Sequence, residues 1–523
     1  MSFVYPVSNF YQVIENNAKS DPQKVIVFED EHKITNQQLL AQADAVADFL
    51  IKREIRRGDK VALVMSNSWH YLAILFAISK VGAVAVPINN FLKHDELVYV
   101  LTDSQSCLLF ASAKFNTEVR DLIIKTNVAS IVWVDGAPLE NERNFDYAKI
   151  DSTLNLISES VNPALDDLAV IIYTSGTTGK PKGAMLSYCN LLSIVYGAIA
   201  HYKLKKGQAR MICYLPMFHA FTLAVTMLLP IVTSSGVVIV RSISTKKDFA
   251  NLLKLVLVHR CRYFAGVPDI FSAMARAKLP WYFHWFHNVR GFVSGAAPLS
   301  EDVIKRFGAS FKRGKLLQGY GLSECASGVS LNKPWANKPG SVGTPLMGFQ
   351  IESFTDDGVQ VARGEIGELW IKGDCVMQGY YNRPEETAET IVDGWFKTGD
   401  IGYVDADDYV YIVDRKKDLI IQKGMNIYPR EIEEFLYTHD KINAAAVVGV
   451  KDIEANETPV AYLELKEGVT ATEKEIKDFL KPLLAPFKQP RKIYFMDRLP
   501  RNATGKILKR ELRELANSSE NMV

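Results

Sequence analysis

The stretch YTSGTTGKPKG, residues 173–183, is the most informative part of this sequence. Its eleven positions hold three glycines, four serine or threonine hydroxyls and two lysines. Glycines let the backbone approach a ligand and expose its N–H groups, while hydroxyls and lysines add donors and positive charge. This composition predicts a loop that binds an anion, most simply a phosphate.

The spacing within this loop differs from that of the Walker phosphate loop. The Walker pattern requires four residues between its first glycine and a Gly-Lys-Ser/Thr sequence. Here only two residues separate Gly176 from Gly179, and Pro181 follows Lys180. A flexible surface turn would not need so many donors, so we interpret residues 173–183 as a phosphate loop of another kind.

The segments around the loop predict an α/β fold. An apolar strand at 168–173 precedes it, and a helical pattern begins near Ser187. Further towards the amino terminus lie a strand at 60–65, a helix at 68–81 and a strand at 82–87. Strands that alternate with helices predict a mainly parallel sheet covered on both faces.

The character of the sequence changes after about residue 345. Short strands at 367–373 and 409–413, separated by turn residues, predict a small and more antiparallel β subdomain. The charged turn 414–418 is followed by a compact α+β unit, with a helix at 430–437, strands at 444–450 and 460–465, and a helix at 472–483. The predicted fold is therefore α/β: a large N-terminal domain of stacked α/β sheets with a small β subdomain, then a small α+β C-terminal domain.

The charge balance argues against a nucleic-acid-binding protein. The 523 residues carry 61 basic and 59 acidic side chains, a net charge of +2, whereas proteins that bind nucleic acid usually show a strong basic bias. The six cysteines are scattered, without a CxxC pair or a Cys/His cluster at zinc spacing, which favours a reducing compartment.

Targeting signals are absent from both ends of the sequence, so we expect a cytoplasmic protein without a transmembrane span. The apolar run 221–240 approaches the length of a membrane span, but Pro230 and a Thr-Ser-Ser-Gly sequence interrupt it. We interpret this run as a buried helix, a turn and a buried strand, and the polar segment 140–165 as a linker.

Further motifs extend the pattern of the phosphate loop along most of the chain. They are LPMFHA (215–220), SGAAP (294–298), QGYGLSE (318–324), GWFKTGD (394–400), DRKKD (414–418), KGMNIYP (423–429) and LPRNATGK (499–506). In their order and spacing, they and the phosphate loop resemble the signatures of the adenylate-forming superfamily. That superfamily contains acyl-CoA synthetases, luciferases and the adenylation domains of peptide synthetases.

The resemblance implies a reaction in two halves. A carboxylate first attacks the α-phosphorus of ATP to give an acyl-adenylate and pyrophosphate, and a thiol, usually that of coenzyme A, then displaces AMP. The first half brings an anion to a polyanion, so cations and N–H donors must be in place beforehand. ATP, Mg²⁺ and coenzyme A are therefore the expected cofactor and co-substrates.

The motif matches also imply roles for individual residues. The β- and γ-phosphates would be held by Thr174, Ser175, Gly176, Thr177, Thr178, Gly179 and Lys182. Mg²⁺ would bind Glu324 with Thr174, since a hard cation prefers oxygen ligands. The adenosine and α-phosphate would contact Gly295, Ala296, Ala297, Gly319, Tyr320, Gly321, Ser323, Asp400, Ile412 and Arg415. Tyr320 would stack on one face of adenine, with a small strand at 295–297 on the other face, and Asp400 and Arg415 would bind the ribose.

Lys506 is the residue expected to bridge the carboxylate and the α-phosphate. Because the thiol must later enter the same site, the family rotates its C-terminal domain about a hinge that matches Lys417. The chain would thus comprise residues 1–416, which hold ATP and the acid, and a mobile domain, residues 417–523. After rotation, Lys423 and Gly424 would face the coenzyme A channel.

The acid is expected to bind near an unusually apolar segment. No Asp, Glu, Lys or Arg occurs between Arg210 and Arg241, and His219 lies within this run. By resemblance, the acyl pocket comprises Phe218, His219, Gly266, Gly295 and Gly319, and the reaction centre comprises Lys182, His219, Glu324 and Lys506. General-base work by His219 is not implied.

Peptide-synthetase domains of the superfamily place an Asp directly after their equivalent Phe, whereas His219 and Ala220 follow Phe218 here; this disfavours an amino-acid substrate, because its ammonium group would be buried without a partner. The other stretches expected at the pocket, 264–268, 294–296 and 318–319, are small and apolar and leave room for an alkyl chain, so we favour a medium- or long-chain fatty acid converted to its coenzyme A thioester. Two alternatives stay open: an aryl acid such as 4-coumarate, and a fatty acyl-AMP ligase that loads a carrier protein. A luciferase-like oxidoreductase and an inactive binding module have less support.

Two surface features are visible without the resemblance. Residues 488–510 contain eight Lys or Arg and one Asp, a net charge of +7, which we interpret first as a face balanced by acids elsewhere and second as a steering patch for ATP or coenzyme A. The aromatic segment 280–286 is expected to pack, with peripheral membrane contact as the alternative. The oligomeric state, monomer or homodimer, is left open.

Overall fold

The computed structural model describes residues 4–136, 143–150, 161–174, 180–277, 279, 281–297, 299–422, 425–452, 456–501 and 505–520. The strands are β1 (Val25–Glu29), β2 (His32–Thr35), β3 (Lys60–Val64), β4 (Val84–Pro87), β5 (Ser106–Ala111), β6 (Ser130–Trp133), β7 (Asn144–Asp146), β8 (Leu168–Thr174), β9 (Lys182–Ser187), β10 (Met211–Cys213), β11 (Val237–Ile239), β12 (Tyr263–Gly266), β13 (Gly291–Ser294), β14 (Lys315–Leu322), β15 (Ser327–Leu331), β16 (Thr344–Pro345), β17 (Gln350–Phe354), β18 (Gly367–Lys372), β19 (Gly379–Tyr380), β20 (Ile391–Val392), β21 (Trp395–Val404), β22 (Val410–Arg415), β23 (Ile420–Gln422), β24 (Met425–Ile427), β25 (Ile442–Asp452), β26 (Asn456–Leu465) and β27 (Lys492–Met496).

The helices are α1 (Phe10–Ser20), α2 (Asn36–Lys52), α3 (Trp69–Val81), α4 (His94–Asp103), α5 (Asn116–Val119), α6 (Leu122–Lys125), α7 (Tyr188–His201), α8 (Leu229–Val232), α9 (Lys246–Val258), α10 (Pro268–Arg276), α11 (Trp281–Phe286), α12 (Glu301–Ser310), α13 (Pro384–Thr390), α14 (Pro429–Thr438), α15 (Glu473–Leu480) and α16 (Lys509–Glu520). Short 3-10 turns lie at Ala113–Phe115, Tyr147–Lys149, Ser323–Cys325, Lys416–Asp418 and Pro486–Lys488, and a π-helical segment spans Thr222–Leu228.

Local sequence signals set several of these boundaries. Ser187 caps α7 by accepting a hydrogen bond from the Asn190 N–H, and the Asn190 side chain accepts one from the Ser187 N–H. This reciprocal cap satisfies two backbone donors that a helix end otherwise leaves unpaired. At a helix C-terminus, α3 ends where Gly82 adopts φ +71°, a left-handed conformation that favours glycine.

Two large sheets form the body of the N-terminal unit. Within the described residues, one sheet has the order β16-β15-β14-β13-β12-β10-β11-β1-β2 and the other β19-β9-β8-β4-β3-β5-β6-β7. Their central strands are parallel, and antiparallel pairs occur towards the edges. One apolar cluster joins both sheets through α1, α2, α3 and α7, and the outer faces are covered by α9, α10 and α12 on one side and by α4, α5 and α6 on the other.

Two smaller sheets follow. The antiparallel sheet β17-β18-β21-β20, with β22 beside β21, confirms the β subdomain expected after residue 345. The last sheet, β24-β23-β26-β25 with β27 beside β26, packs α14 and α15 on one face and α16 on the other. The chain leaves β22 at Arg415 and enters this last sheet at Ile420, so the two units meet at the Lys416–Asp418 turn.

The predicted α/β class, with its β subdomain and α+β C-terminal unit, is confirmed. The apolar run 221–240 is the expected buried helix, turn and strand, although its first part is π-helical. No helix among the described residues is long and apolar enough to cross a membrane.

Three local features differ from the sequence-based expectations. Strand β9, which pairs antiparallel with β8, was not expected, and it lies between the phosphate loop and α7, whose start at Tyr188 agrees with the helical pattern predicted near Ser187. Residues 295–297 do not form a small strand, because β13 ends at Ser294 and Ala296 adopts φ +67°. The supposed linker 140–165 contains β7 and a 3-10 turn in its described part.

Candidate active site

A cleft of about 800 Å³ lies between the N-terminal unit and the C-terminal unit. It opens at the carboxyl ends of β8, β12, β13 and β14, where open α/β sheets usually bind ligands. The predicted residues that line it are Thr174, Ala296, Ala297, Gly319, Tyr320, Gly321, Asp400, Ile412, Arg415, Lys417 and Lys506. Residues from six separate motifs, up to 332 positions apart from Thr174 to Lys506, therefore share one cavity.

One side of the cleft is organised around the buried carboxylate of Asp400. Strands β21 and β22 pair with Asp400 opposite Arg415, which brings the two side chains together. Arg415 Nε lies 2.8 Å from Asp400 Oδ1, and the Tyr320 hydroxyl donates to Asp400 Oδ2 at 2.6 Å. Burial and the charge of Asp400 raise the pKa of Tyr320 well above its usual value, so its hydroxyl stays a donor.

Glycines allow the backbone of β14 to run close to β15 at this point. A Cβ on Gly321 would lie 1.6 Å from the Ser327 carbonyl oxygen, and one on Gly319 would lie 2.3 Å from Leu331 Cδ2. The backbones of both residues line the cleft, but their lack of a side chain serves strand packing. The fixed pairing holds Tyr320, which lies between them, in position.

Elsewhere the cleft is lined by Tyr173, Thr174 and Pro181 of the phosphate-loop motif, and Thr174 contacts a second carboxylate, that of Glu324. Glu324 Oε1 accepts hydrogen bonds from the Thr174 hydroxyl at 3.1 Å and from the Tyr380 hydroxyl at 3.2 Å. Lys182 forms an ion pair with Glu386 and lies 5.3 Å from the centre of the Tyr380 ring. Ser175, Gly176, Thr177, Thr178 and Gly179 lie outside the described residues.

The donor set on this side fits a magnesium ion. A carboxylate and a hydroxyl, Glu324 and Thr174, supply hard oxygen ligands, which Mg²⁺ commonly combines with substrate phosphates. Among the described residues there is no group of three or more His, Cys, Asp or Glu side chains that could enclose a metal by themselves. Any magnesium here would therefore need phosphate oxygens to complete its shell.

Ser294, the first residue of the SGAAP motif, adds a polar atom to the cleft. Its hydroxyl is buried, lines the cleft and has no hydrogen-bond partner in the described part of the chain. A buried polar group without a partner is costly, so this hydroxyl is suited to bind a polar ligand atom. Ser323 lies in the 3-10 turn next to Glu324.

Lys506 reaches the cleft from the C-terminal unit. Gly505, with φ +80°, packs against α10, where a Cβ would lie 3.2 Å from Asp269 Oδ2. The base of this segment is fixed by Arg501, which lies 2.8 Å from Glu464. Burial, together with the nearby charges of Arg415 and Lys417, lowers the pKa of Lys506 to about 8.

The residues around Lys417 connect the two units. Lys417 is exposed in the 3-10 turn, while Asp418 pairs with Arg513 at 2.9 Å and Glu433 pairs with Lys509 at 2.7 Å. Asp414, buried at the end of β22, accepts a hydrogen bond from the backbone N–H of Arg430 at 2.8 Å. A turn flanked by these charge pairs joins the last two sheets.

His219 lies in an apolar environment beside Phe218, with ring centres 4.4 Å apart. Its Nε2 is buried and has no hydrogen-bond partner among the described residues. Burial lowers the pKa of His219 to about 4, so the ring is neutral at pH 7. A Cβ on Gly295 would meet only the Phe221 ring, at 3.6 Å, whereas Gly266 is tightly enclosed by Tyr214 and Ile270.

The basic segment 488–510 is balanced by acids at four of its eight cations. Lys488, Arg501, Lys509 and Arg510 pair with Glu431, Glu464, Glu433 and Glu514 respectively. This supports the balanced interpretation for half of the eight cations. Lys423 and Gly424, expected near coenzyme A, lie outside the described residues.

Comparison with known proteins agrees with this geometry. The family described as AMP-binding enzyme matches residues 14–381, and the AMP-binding enzyme C-terminal domain matches residues 431–506. The chain belongs to the adenylate-forming superfamily of AMP-binding enzymes. The predicted family is thereby confirmed, as are its AMP-binding and ligase character.

The similar AMP-binding enzymes are named for different acid substrates. The chain is 34% identical to a long-chain-fatty-acid–CoA ligase of Bacillus subtilis (strain 168), over 97% of this chain and 95% of the relative. It is 32% identical to 4-coumarate–CoA ligase 2 of Nicotiana tabacum, over 91% and 90%. The names therefore agree on the type of ligase and differ on the acid.

A solved structure supports the same fold. ATP-bound MatB from Rhodopseudomonas palustris superposes with a TM-score of 0.87 at 29% identity, covering 97% of this chain and 98% of that one. The apo form of that protein gives a lower TM-score of 0.77 with the same coverage. The arrangement of this AMP-binding enzyme is thus closer to the ATP-bound form.

Proposed function

We propose that this protein is an ATP-dependent acyl-CoA synthetase that activates a medium- or long-chain fatty acid through an acyl-adenylate. The observation that carries the proposal is the shared cleft of Asp400, Arg415, Thr174 and Lys506. A Cβ on Gly295, between the cleft-lining residues Ser294 and Ala296, would lie 3.6 Å from the Phe221 ring of the charge-free segment 211–240, which also holds a neutral His219. The family and the similarity to a bacterial long-chain ligase support it.

In the proposed first step, ATP binds along the cleft. Asp400 would accept hydrogen bonds from the ribose hydroxyls, since each of its oxygens keeps lone pairs beyond those used by Arg415 and Tyr320. Tyr320 would offer its ring face to adenine. Thr174 and Lys182 would contact the β- and γ-phosphates, which requires Lys182 to exchange Glu386 for phosphate.

Mg²⁺, held by Glu324 and Thr174, would supply positive charge that neutralises the phosphates. The carboxylate of the acid then attacks the α-phosphorus, the bond to the β-phosphate oxygen breaks, and pyrophosphate leaves with the electron pair. Lys506 would stabilise the charge that develops on the α-phosphate and hold the acid for this attack. Its position in the cleft supports this role.

In the proposed second step, the thiol of coenzyme A attacks the acyl carbon, the bond to AMP breaks, and the thiol proton passes to solvent. We propose that residues 417–523 rotate about Lys417 to let the thiol enter, with Lys423 and Gly424 facing its channel. The exposed turn at Lys417 and the better fit to an ATP-bound relative support a first-step arrangement in this structure. Rotations of this kind are rigid-body motions about a few hinge residues.

The choice of an alkyl acid follows from the surroundings of His219. An ammonium or a second carboxylate on the acid would need a charged partner, and residues 211–240 contain no Asp, Glu, Lys or Arg. Gly295 leaves space beside Phe221 for apolar substrate atoms. Phe218, Gly266 and Gly319 would complete the pocket.

An aryl acid is the second candidate. The 32–33% identity to several plant 4-coumarate–CoA ligases, over about 90% of the chain, favours it. The Phe221 ring beside Gly295 is also suited to stack against an aromatic acid.

An acid panel separates these candidates. AMP release would be measured with acetate, octanoate, palmitate and 4-coumarate, with coenzyme A present and absent. We expect the highest kcat/KM for an alkyl acid longer than about four carbons, because each buried methylene adds about 0.8 kcal/mol of binding. Activity with 4-coumarate alone would overturn the fatty-acid proposal, and adenylate formation without any thioester would assign the protein to the acyl-AMP ligases.

A further inference from the structure

An aromatic and basic surface lies at the opposite end of the nine-stranded sheet from the cleft. Arg290 directly precedes β13 and Lys315 begins β14, and these parallel strands pair with Gly291 opposite Lys315. Both residues therefore mark the amino ends of strands whose carboxyl ends line the cleft. We call Trp285, Phe286, Arg290, Lys312, Arg313 and Lys315 the aromatic–basic patch.

The structure divides the aromatic segment 280–286 into an inner and an outer part. Phe283 is buried and packs against Phe311 and His287, which anchors α11 to the core between β13 and α12. Trp285 and Phe286, by contrast, are 64% and 68% exposed. The packing expected from the sequence therefore holds for Phe283, whereas Trp285 and Phe286 leave most of their surface exposed.

A cation contacts one of the exposed rings, and the sequence around it contains few acids. Arg313 donates a hydrogen bond to the Trp285 carbonyl oxygen and lies 6.0 Å from the centre of the Trp285 ring. Residues 270–323 contain eight Lys or Arg and only two acids, Glu301 and Asp302. Those two acids pair with Lys305 and Arg306 on α12.

The four cations of the patch form no ion pair within the described ranges, and all four are exposed: Arg290, Lys312, Arg313 and Lys315. Their charge is thus available to an external anion. The net charge of the whole chain is only +2, so this concentration is a local property of one surface.

We propose that the aromatic–basic patch docks this protein on an anionic phospholipid membrane. Tryptophan and phenylalanine side chains insert at the level of the headgroups, and neighbouring lysines and arginines are attracted to anionic lipids. Two exposed rings combined with four unpaired cations provide both contributions. A nucleic acid would match the cations, but the outward rings sit on a short helix rather than along a groove.

Docking in this orientation leaves the nucleotide cleft facing the aqueous side. The patch lies at the amino ends of β13 and β14, and the cleft at their carboxyl ends. ATP and other water-borne substrates would therefore reach the cleft while the protein stays on the surface. Binding to vesicles needs no substrate, so this proposal is tested independently of the proposed function.

The test is flotation of the full-length protein with vesicles of phosphatidylcholine alone and of phosphatidylcholine with about a third phosphatidylglycerol. We expect binding to the anionic vesicles that weakens with salt, and much weaker binding to the neutral ones. The double variant Lys312→Gln/Lys315→Gln should lose roughly 25-fold in partitioning, because each cation near an anionic surface contributes about fivefold. Trp285→Ala/Phe286→Ala should lose at least tenfold.

Matched controls lie elsewhere on the surface. Phe91→Ala removes a ring that is 64% exposed at the other large sheet, and Lys474→Gln/Lys481→Gln removes two exposed lysines from the C-terminal unit. These variants should bind as the unaltered protein does. Equal losses in the controls and the patch variants would overturn the proposal.

A second measurement does not depend on how well the alanine variants fold. Brominated lipids should quench the fluorescence of the unaltered protein more than that of Trp285→Phe, because quenching requires insertion of the indole ring. No difference in quenching, no binding to anionic vesicles, or binding to an oligonucleotide in place of vesicles would each overturn the membrane proposal.

Discussion

The two sides of the nucleotide cleft both contain a carboxylate and a cation, but these groups are paired in different ways. On the side that we propose binds adenosine (the adenosine side), Asp400 is buried and holds Arg415 and Tyr320 through two different oxygens. On the side that we propose binds the phosphates (the phosphate side), Lys182 pairs with Glu386, a residue of the short helix α13. The first arrangement can persist when the nucleotide binds, whereas the second must change.

This difference indicates that the adenosine side of the cleft is preorganised and the phosphate side is not. Preformed donors and acceptors cost no rearrangement when a ligand arrives, which makes them effective binding groups. A cation already paired with a carboxylate must first lose that partner. We therefore expect the adenosine side to provide affinity and the phosphate side to respond to the ligand.

The largest effect on ATP binding is expected from a substitution that removes the charge of Asp400 on the adenosine side. Asp400→Asn removes the negative charge that orients Arg415 and would accept from the ribose, and hydrogen bonds to charged groups contribute about 1.5–3 kcal/mol. The KM for ATP should rise by roughly 10- to 150-fold in pyrophosphate exchange. Asp393→Asn, at an exposed turn before β21, is the matched control and should change little. An unchanged KM for ATP in Asp400→Asn would refute this view of the adenosine side.

The residues of the preorganised side could be predicted because each lies in a dense local motif. Tyr320, Asp400 and Arg415 are flanked by glycines, turns or charges that are unusual enough to identify from sequence alone. Their convergence on one cleft also follows from the family resemblance. The hydrogen bond between Tyr320 and Asp400 could not be predicted, because it depends on how β14 and β21 are placed in three dimensions.

The partners on the phosphate side were missed for a physical reason. Tyr380 and Glu386 reach Lys182 and Glu324 because β19 pairs with β9, which joins segments about 200 residues apart. The strand β9 could not be predicted from its sequence KGAMLS, because this sequence begins within a glycine-rich turn motif and lacks β-branched residues. The domain division at Lys417 and the roles of the site residues stay predictions.

An intermediate effect is expected from pH, through the lysine that lies close to the adenosine side. Burial lowers the pKa of Lys506 to about 8, below the usual lysine value near 10.4. If the charged form assists the first step, kcat/KM for adenylation falls about tenfold per pH unit above about 8. Lys506→Arg, which stays charged, should react more slowly but lack this alkaline fall. A plateau that continues to about pH 10 in the unaltered protein would contradict the proposed role.

The smallest and most discriminating effect is expected on the phosphate side. Glu386→Gln removes the carboxylate that competes with phosphate for Lys182, and a partly exposed ion pair of this kind contributes about 0.2–1 kcal/mol. The KM for ATP should therefore fall by up to about fivefold while kcat stays close to its original value. Glu385→Gln, at the neighbouring exposed position of the same helix, controls for the change in charge. A rise in the KM for ATP would show instead that Glu386 helps to bind the nucleotide or its metal, and the two sides of the cleft would then be alike in using their carboxylates.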